Sequence, residues 1–131
     1  MSRILVADDD KVMLGLLKTL MELEGNEVVT ASRPKDIVPA AREHPLALIL
    51  MDYHLAGGNS MGALRELKSD ALLKQIPVIV TSGMDHADEC KQNGAADFIL
   101  KPFHPAELLE RIRTLSEPPA QELSPERPLI P

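Results

Sequence analysis

Residues 46–51 read Leu-Ala-Leu-Ile-Leu-Met, an apolar run with no polar residue to alternate against. A strand with one face in water alternates apolar and polar side chains, so a continuous run marks a strand covered on both faces. Ile4–Ala7 and Val78–Val80 have the same character. The strand candidates are Arg3–Ala7, Glu27–Ala31, Leu46–Met51, Pro77–Thr81 and Asp97–Leu100. Between them, apolar residues recur three and four apart. Met13, Leu16, Leu17, Leu20 and Met21 form the clearest early set and stop at Gly25-Asn26, a pair suited to a left-handed helix end. Leu108, Leu109, Ile112 and Leu115 form the last, with Pro105 in its first turn. Pro34–Glu43, Met61–Lys68 and Asp85–Asn93 are weaker helices, and Gly94 closes the third. Strands alternating with helices predict an α/β chain: one three-layer domain with a five-stranded parallel sheet and right-handed crossovers.

A length of 131 residues fits one domain, and 44% apolar residues suffice for its core. The net charge of −6, with no Lys/Arg stripe, argues against binding a nucleic-acid backbone. Cys90 is the only cysteine, so it forms neither an internal disulfide nor the core of a zinc site; it reads as a small, partly buried side chain in a reducing compartment. There is no signal-peptide pattern and no apolar run of membrane-spanning length, so the expectation is a soluble, cytoplasmic protein. From Glu117 the chain reads Glu-Pro-Pro-Ala-Gln-Glu-Leu-Ser-Pro-Glu-Arg-Pro-Leu-Ile-Pro, a proline density expected of a linker or tail over residues 117–131.

In an open parallel sheet, chemistry collects beyond the carboxyl ends of the strands. The first strand delivers Asp8 and Asp9 there, with Asp10 starting the helix; the third delivers Asp52, the fourth Thr81 and Ser82, and the fifth Lys101. Taken singly, each has an ordinary structural use as a cap, a turn residue or an ion pair. Together they make an oxygen-rich cation site beside a hydroxyl and an amine. Hard carboxylate ligands suit Mg²⁺, and a cation, a lysine and a hydroxyl together neutralise a phosphoryl group. A carboxylate can itself accept that group. Asp52, alone at the end of a central strand, is the best candidate, while Asp8 and Asp9 read as a metal-binding pair.

These segments resemble the response-regulator receiver domain, the phosphoacceptor module of two-component signalling. Ile4–Asp10 is similar to the first strand with its acidic pair, and Leu46–Leu55 to the strand bearing the phosphorylated Asp. Pro77–Gly83 is similar to the strand ending in the switch hydroxyl, and Gly94–Phe103 to the segment with an aromatic, a Lys and a Pro. The resemblance covers about residues 2–116 and implies a flavodoxin-like (βα)5 domain over 1–116 with strand order 2-1-3-4-5. It implies that Asp52 is the phosphoacceptor and that Asp8, Asp9, Asp52 and the main-chain carbonyl of His54 hold Mg²⁺ or Mn²⁺. It further implies that Thr81 binds the phosphoryl group, Lys101 pairs with one of its oxygens through a segment with a cis Lys101–Pro102 bond, and Phe98 reorients with phosphorylation. The implied partners are a sensor histidine kinase or histidine phosphotransfer protein upstream and a downstream protein or output domain. Membrane and nucleic-acid binding are not implied, nor is any enzyme activity beyond the chain's own phosphorylation and dephosphorylation. The output surface would be the fourth helix, fifth strand and fifth helix, which could also join a homodimer through Asp97 and Arg111 or Arg113.

The sequence departs from the family in places. Ala56 and Ser60 stand where a Pro and a Gly are usual after the phosphoacceptor, and His104 where the last helix often has an acidic cap. Two other readings compete. Ile4–Val12 also resembles the signature of haloacid-dehalogenase-like phosphatases, which would make Asp8 the nucleophile and Asp10 the acid/base; no acidic motif follows Lys101 to complete it, and Asp52 is left without a role. A pseudo-receiver that only binds protein would not need the complete set of acids, Thr81 and Lys101.

Overall fold

The computed structural model describes residues 2–116; the proline-rich segment expected from Glu117 onward lies outside them. Five strands, β1 (Arg3–Ala7), β2 (Glu27–Ala31), β3 (Leu48–Asp52), β4 (Val78–Ser82) and β5 (Asp97–Leu100), form one parallel sheet in the order 2-1-3-4-5. The helices are α1 (Lys11–Leu23), α2 (Ile37–Glu43), α3 (Met61–Ser69), α4 (Ala87–Gln92) and α5 (Pro105–Ser116).

Alternate strand residues feed two separate apolar layers. Leu5, Ala7, Ile49, Met51, Val78 and Val80 pack against Ile37 and Ala41 of α2, Leu64 and Leu67 of α3 and Cys90 of α4. Ile4, Val6, Leu48, Leu50, Ile79 and Ile99 pack against Leu17 and Met21 of α1 and Leu108 and Ile112 of α5. That double cover is why the central strands carry no polar alternation. Cys90 is wholly buried rather than partly so, and burial, with Glu89 beside it, pushes its thiol up to about 11, so it is an unreactive core residue.

Element ends shift where proline or pairing intervenes. Pro34–Glu43 is not one helix: Pro34–Asp36 is a 3₁₀ turn and the α-helix starts at Ile37. Pro39 has no N–H to give the carbonyl of Lys35, so a regular α-helical turn cannot span that point. Strand β3 begins two residues later than the apolar run, because pairing with β1 starts at Ile4↔Leu48. It also takes in Asp52, which pairs with Thr81. Pro77 drops out of β4 yet still accepts from Ile49 N at 3.0 Å. Gly25 (φ 92°) and Gly94 (φ 102°) end their helices in the left-handed region, as the sequence predicts.

Leu64 is completely buried beneath the sheet. Leu64→Ala is expected to lower the unfolding free energy by about 2–5 kcal/mol, seen as a lower urea midpoint at unchanged slope. Gly94→Ala should also destabilise, because its Cβ would meet Lys68 Cγ at 2.7 Å on a backbone that disfavours any side chain.

Candidate functional site

Strand β1 ends at Ala7, and the chain turns at once into α1. Asp10 is the helix cap: its Oδ1 accepts from Val12 N at 3.0 Å and Met13 N at 3.2 Å. Its carboxylate therefore belongs to the helix. Asp8, only 2% exposed, accepts from Asp10 N at 2.9 Å and so faces back over the sheet edge. Carboxylate oxygens of Asp8, Asp9 and Asp52 all lie within 4.8 Å of one another. Among the described residues no other group of three or more His, Cys, Asp or Glu side chains gathers so closely.

Lys101, arriving from β5, answers this negative charge. Its Nζ lies 3.0 Å from Asp52 Oδ2 and 3.5 Å from Asp8 Oδ2. Burial pushes the Asp8 carboxyl up, Asp52 adds to that push, and the Asp10 N–H and Lys101 oppose it without cancelling it. Burial also pulls Lys101 down, but Asp52 and Asp8 outweigh it and the amine is held above its ordinary value. The Lys101–Pro102 bond is cis.

Thr81 is 3% exposed and stands directly across the ladder from Asp52. The neighbouring Ser82 Oγ accepts from Met84 N at 3.1 Å and so closes the turn after β4. Thus the hydroxyl pair divides: Ser82 builds the loop and Thr81 borders the acids. Phe98 is half-buried and packs against the α2–α4 layer. The structure brings Asp8, Asp9, Asp52, Thr81 and Lys101 to one edge. Within the chain, Arg111 Nη1 lies 2.8 Å from Asp97 Oδ2, while Arg113 Nε reaches Glu24 Oε1 at 2.8 Å.

Beyond Asp52 the chain makes a short hairpin, His54–Leu55 against Gly58–Asn59, turning at Gly57 (φ 97°). The His54 side chain is exposed at its start. Two features here were invisible in the sequence. Tyr53 stacks on His86, ring centroids 3.8 Å apart, and its hydroxyl donates to Glu89 Oε1 at 2.7 Å, joining the exit of β3 to α4. Ser60 Oγ donates to the carbonyl of Asp52 at 2.9 Å. In the sequence Ser60 is marked only as a residue standing where a Gly is usual, which gives no sign of this bond.

This fold and this edge of carboxylates, hydroxyl and amine define a phosphoryl-site class of protein, and comparison with known proteins gives the family. A profile of the response regulator receiver domain matches residues 4–113. Protein PilH of Pseudomonas aeruginosa is 33% identical over 118 residues, spanning 88% of this chain and 98% of PilH. Response regulator PleD of Caulobacter vibrioides is 34% identical over 119 residues, spanning 88% of this chain and 26% of PleD, so the chain matches about a quarter of that relative's length. Among solved structures, response regulator TrrA of Thermotoga maritima, crystallised in complex with Mg²⁺-BeF, superposes with a TM-score of 0.79 at 25% identity, covering 88% of this chain and 99% of TrrA. The chain belongs to the response regulator receiver domain family, the phosphoacceptor switch of two-component signalling.

The electrostatics make a stability prediction. Because Asp8 titrates higher in the folded chain than in the unfolded one, its contribution is fully present below the unfolded value of about 3.9 and is lost as pH rises through the folded value. At neutral pH the ionised group opposes folding. In metal-free buffer, Asp8→Asn should therefore be more stable than wild type by about 1 kcal/mol in urea unfolding at pH 7, with the difference shrinking as pH falls.

Proposed function

We propose that Asp52 accepts the phosphoryl group, and the observation that carries this is the reach of Lys101 to Asp52 and Asp8 inside the three-carboxylate group. The donor is the phosphohistidine of a sensor histidine kinase or histidine phosphotransfer protein. An Asp52 carboxylate oxygen forms a bond to phosphorus as the phosphorus–nitrogen bond of the donor breaks, and the electron pair leaves on the imidazole. Lys101 pairs with a phosphoryl oxygen, and the Thr81 hydroxyl donates a hydrogen bond to another.

The donor set is all oxygen and carries three carboxylates, which fits a hard divalent cation. Asp8, Asp9, Asp52 and the main-chain carbonyl of His54 would hold Mg²⁺ or Mn²⁺, which when bound neutralises charge on the phosphoryl oxygens. The TrrA complex, whose fold this chain shares, supports that cation.

Movement of Thr81 toward the phosphoryl oxygens vacates space for Phe98, and the surface of α4, β5 and α5 changes for a downstream partner or output domain. The same surface is the one available to a homodimer. The domain spans residues 1–116, followed by a linker or tail over 117–131; the profile match over 4–113 supports that boundary. The chain acts on its own carboxylate and turns over no separate substrate.

Acetyl phosphate with Mg²⁺ is expected to add one phosphoryl group, mapped by mass spectrometry to Asp52. Asp52→Asn abolishes the gain, and Lys101→Met slows it roughly ten- to a hundredfold. Label on Asp8 would instead favour the phosphatase reading, and no label from any phosphodonor would leave only an interaction module.

A further inference from the structure

Ser60 immediately precedes α3, where a serine hydroxyl ordinarily accepts an N–H of the first turn. It makes no such cap. Asn59 Oδ1 does that work, accepting from Met61 N at 2.9 Å. Ser60 is completely buried, and its Oγ donates to the Asp52 carbonyl at 2.9 Å, with the Tyr53 carbonyl at 3.4 Å. Its own N–H donates to the Tyr53 carbonyl at 2.9 Å. The Tyr53 N–H, at the other end of the Asp52–Tyr53 peptide, donates to the Thr81 carbonyl at 2.8 Å. That one peptide unit is therefore gripped from both sides, by the start of α3 and by β4.

We propose that Ser60 is a positioning residue, holding the Asp52 peptide so that the Asp52 carboxylate and the His54 carbonyl stay convergent on one divalent cation. This rests on the reading of Asp52 as the phosphoacceptor. Three carboxylates with oxygens within 4.8 Å repel one another, and whatever Lys101 at 3.0 Å from Asp52 and 3.5 Å from Asp8 leaves unbalanced is a load that would spread them. Ser60 resists that load at the carbonyl of the loaded residue itself. It also closes the hairpin carrying His54, since the chain between Tyr53 and Ser60 is the His54–Asn59 pair and its turn. Without the hydroxyl, the Asp52 carbonyl loses its buried partner, and the peptide is held only from the other side, by the Tyr53 N–H on the Thr81 carbonyl.

The test uses the full 131-residue chain. Tyr53 is its one tyrosine and there is no tryptophan, so intrinsic emission reports directly on the residue beside Asp52. Mg²⁺ is titrated against that emission without phosphodonor, and labelling of Asp52 by acetyl phosphate is timed separately. Ser60→Ala and Ser60→Gly should weaken Mg²⁺ binding and slow labelling about three- to tenfold, the worth of one net hydrogen bond. Leu67→Val, which loosens α3 from the apolar side away from Asp52, is the control and should keep wild-type values in both.

Folded Ser60 variants with wild-type Mg²⁺ midpoints and labelling rates overturn the proposal. So do losses that Leu67→Val reproduces at matched urea stability, since those would be structural. Mg²⁺ binding that is weakened in the Ser60 variants while even wild type takes no label would uphold Ser60 and overturn Asp52 as the acceptor. Wild type that binds no Mg²⁺ would overturn the positioning role directly.

Discussion

The site depends on the parallel register of β1, β3 and β4. Ala7 pairs with Met51 and Asp52 with Thr81, so the apolar runs of three strands stop at one level and the polar residues begin there together. The charges themselves pin that level. A slip of one residue would carry Asp52 between two apolar layers, or draw Met51 out of them, and an isolated carboxylate in such surroundings costs several kcal/mol. The same side chains that define the chemistry thus set the alignment of the sheet.

Gathering acids in this way opposes folding, and the fold contains the opposition locally. Lys101 enters from the far strand to meet Asp52 and Asp8. Asp10 is diverted to the end of α1, where a negative charge is favourable. Ser60 ties the backbone of Asp52 to α3. The stability given up at Asp8 is recovered in the two apolar layers, a division of labour common where function requires a destabilising charge cluster.

From this edge, two physical routes lead outward to α4. One runs along β4 from Thr81, through the Ser82–Met84 turn. The other passes directly from Tyr53 to His86 and Glu89 through a ring stack and a hydrogen bond. Phe98, on β5, packs against the same layer as α4. The receiver site and the surface proposed for output are therefore joined by packed side chains as well as by backbone.

The unbroken apolar runs, the helix stops at Gly25 and Gly94, and the acids, hydroxyls and lysine at strand ends are all written along the chain, because each depends on local periodicity or on a residue's own chemistry. They were enough to predict a doubly covered parallel sheet and the residues that meet at its edge. Other features depended on partners distant in the chain. Leu46 reads as strand like Leu48, yet the ladder with β1 runs from Ile4↔Leu48 and before it only the Ala47 N–H reaches across, to the Arg3 carbonyl. Ser60 stands out in the sequence only as a departure from the family's usual glycine, and only the folded loop shows that Asn59 caps α3 and that the Ser60 hydroxyl goes to Asp52. His86 and Glu89 are three apart, but Tyr53 lies 36 residues before Glu89, so its contact with them has no trace in the sequence. Periodicity determined which faces would be buried; three-dimensional proximity decided which polar groups would find each other, because a hydrogen bond is specified by distance and direction rather than by order along the chain.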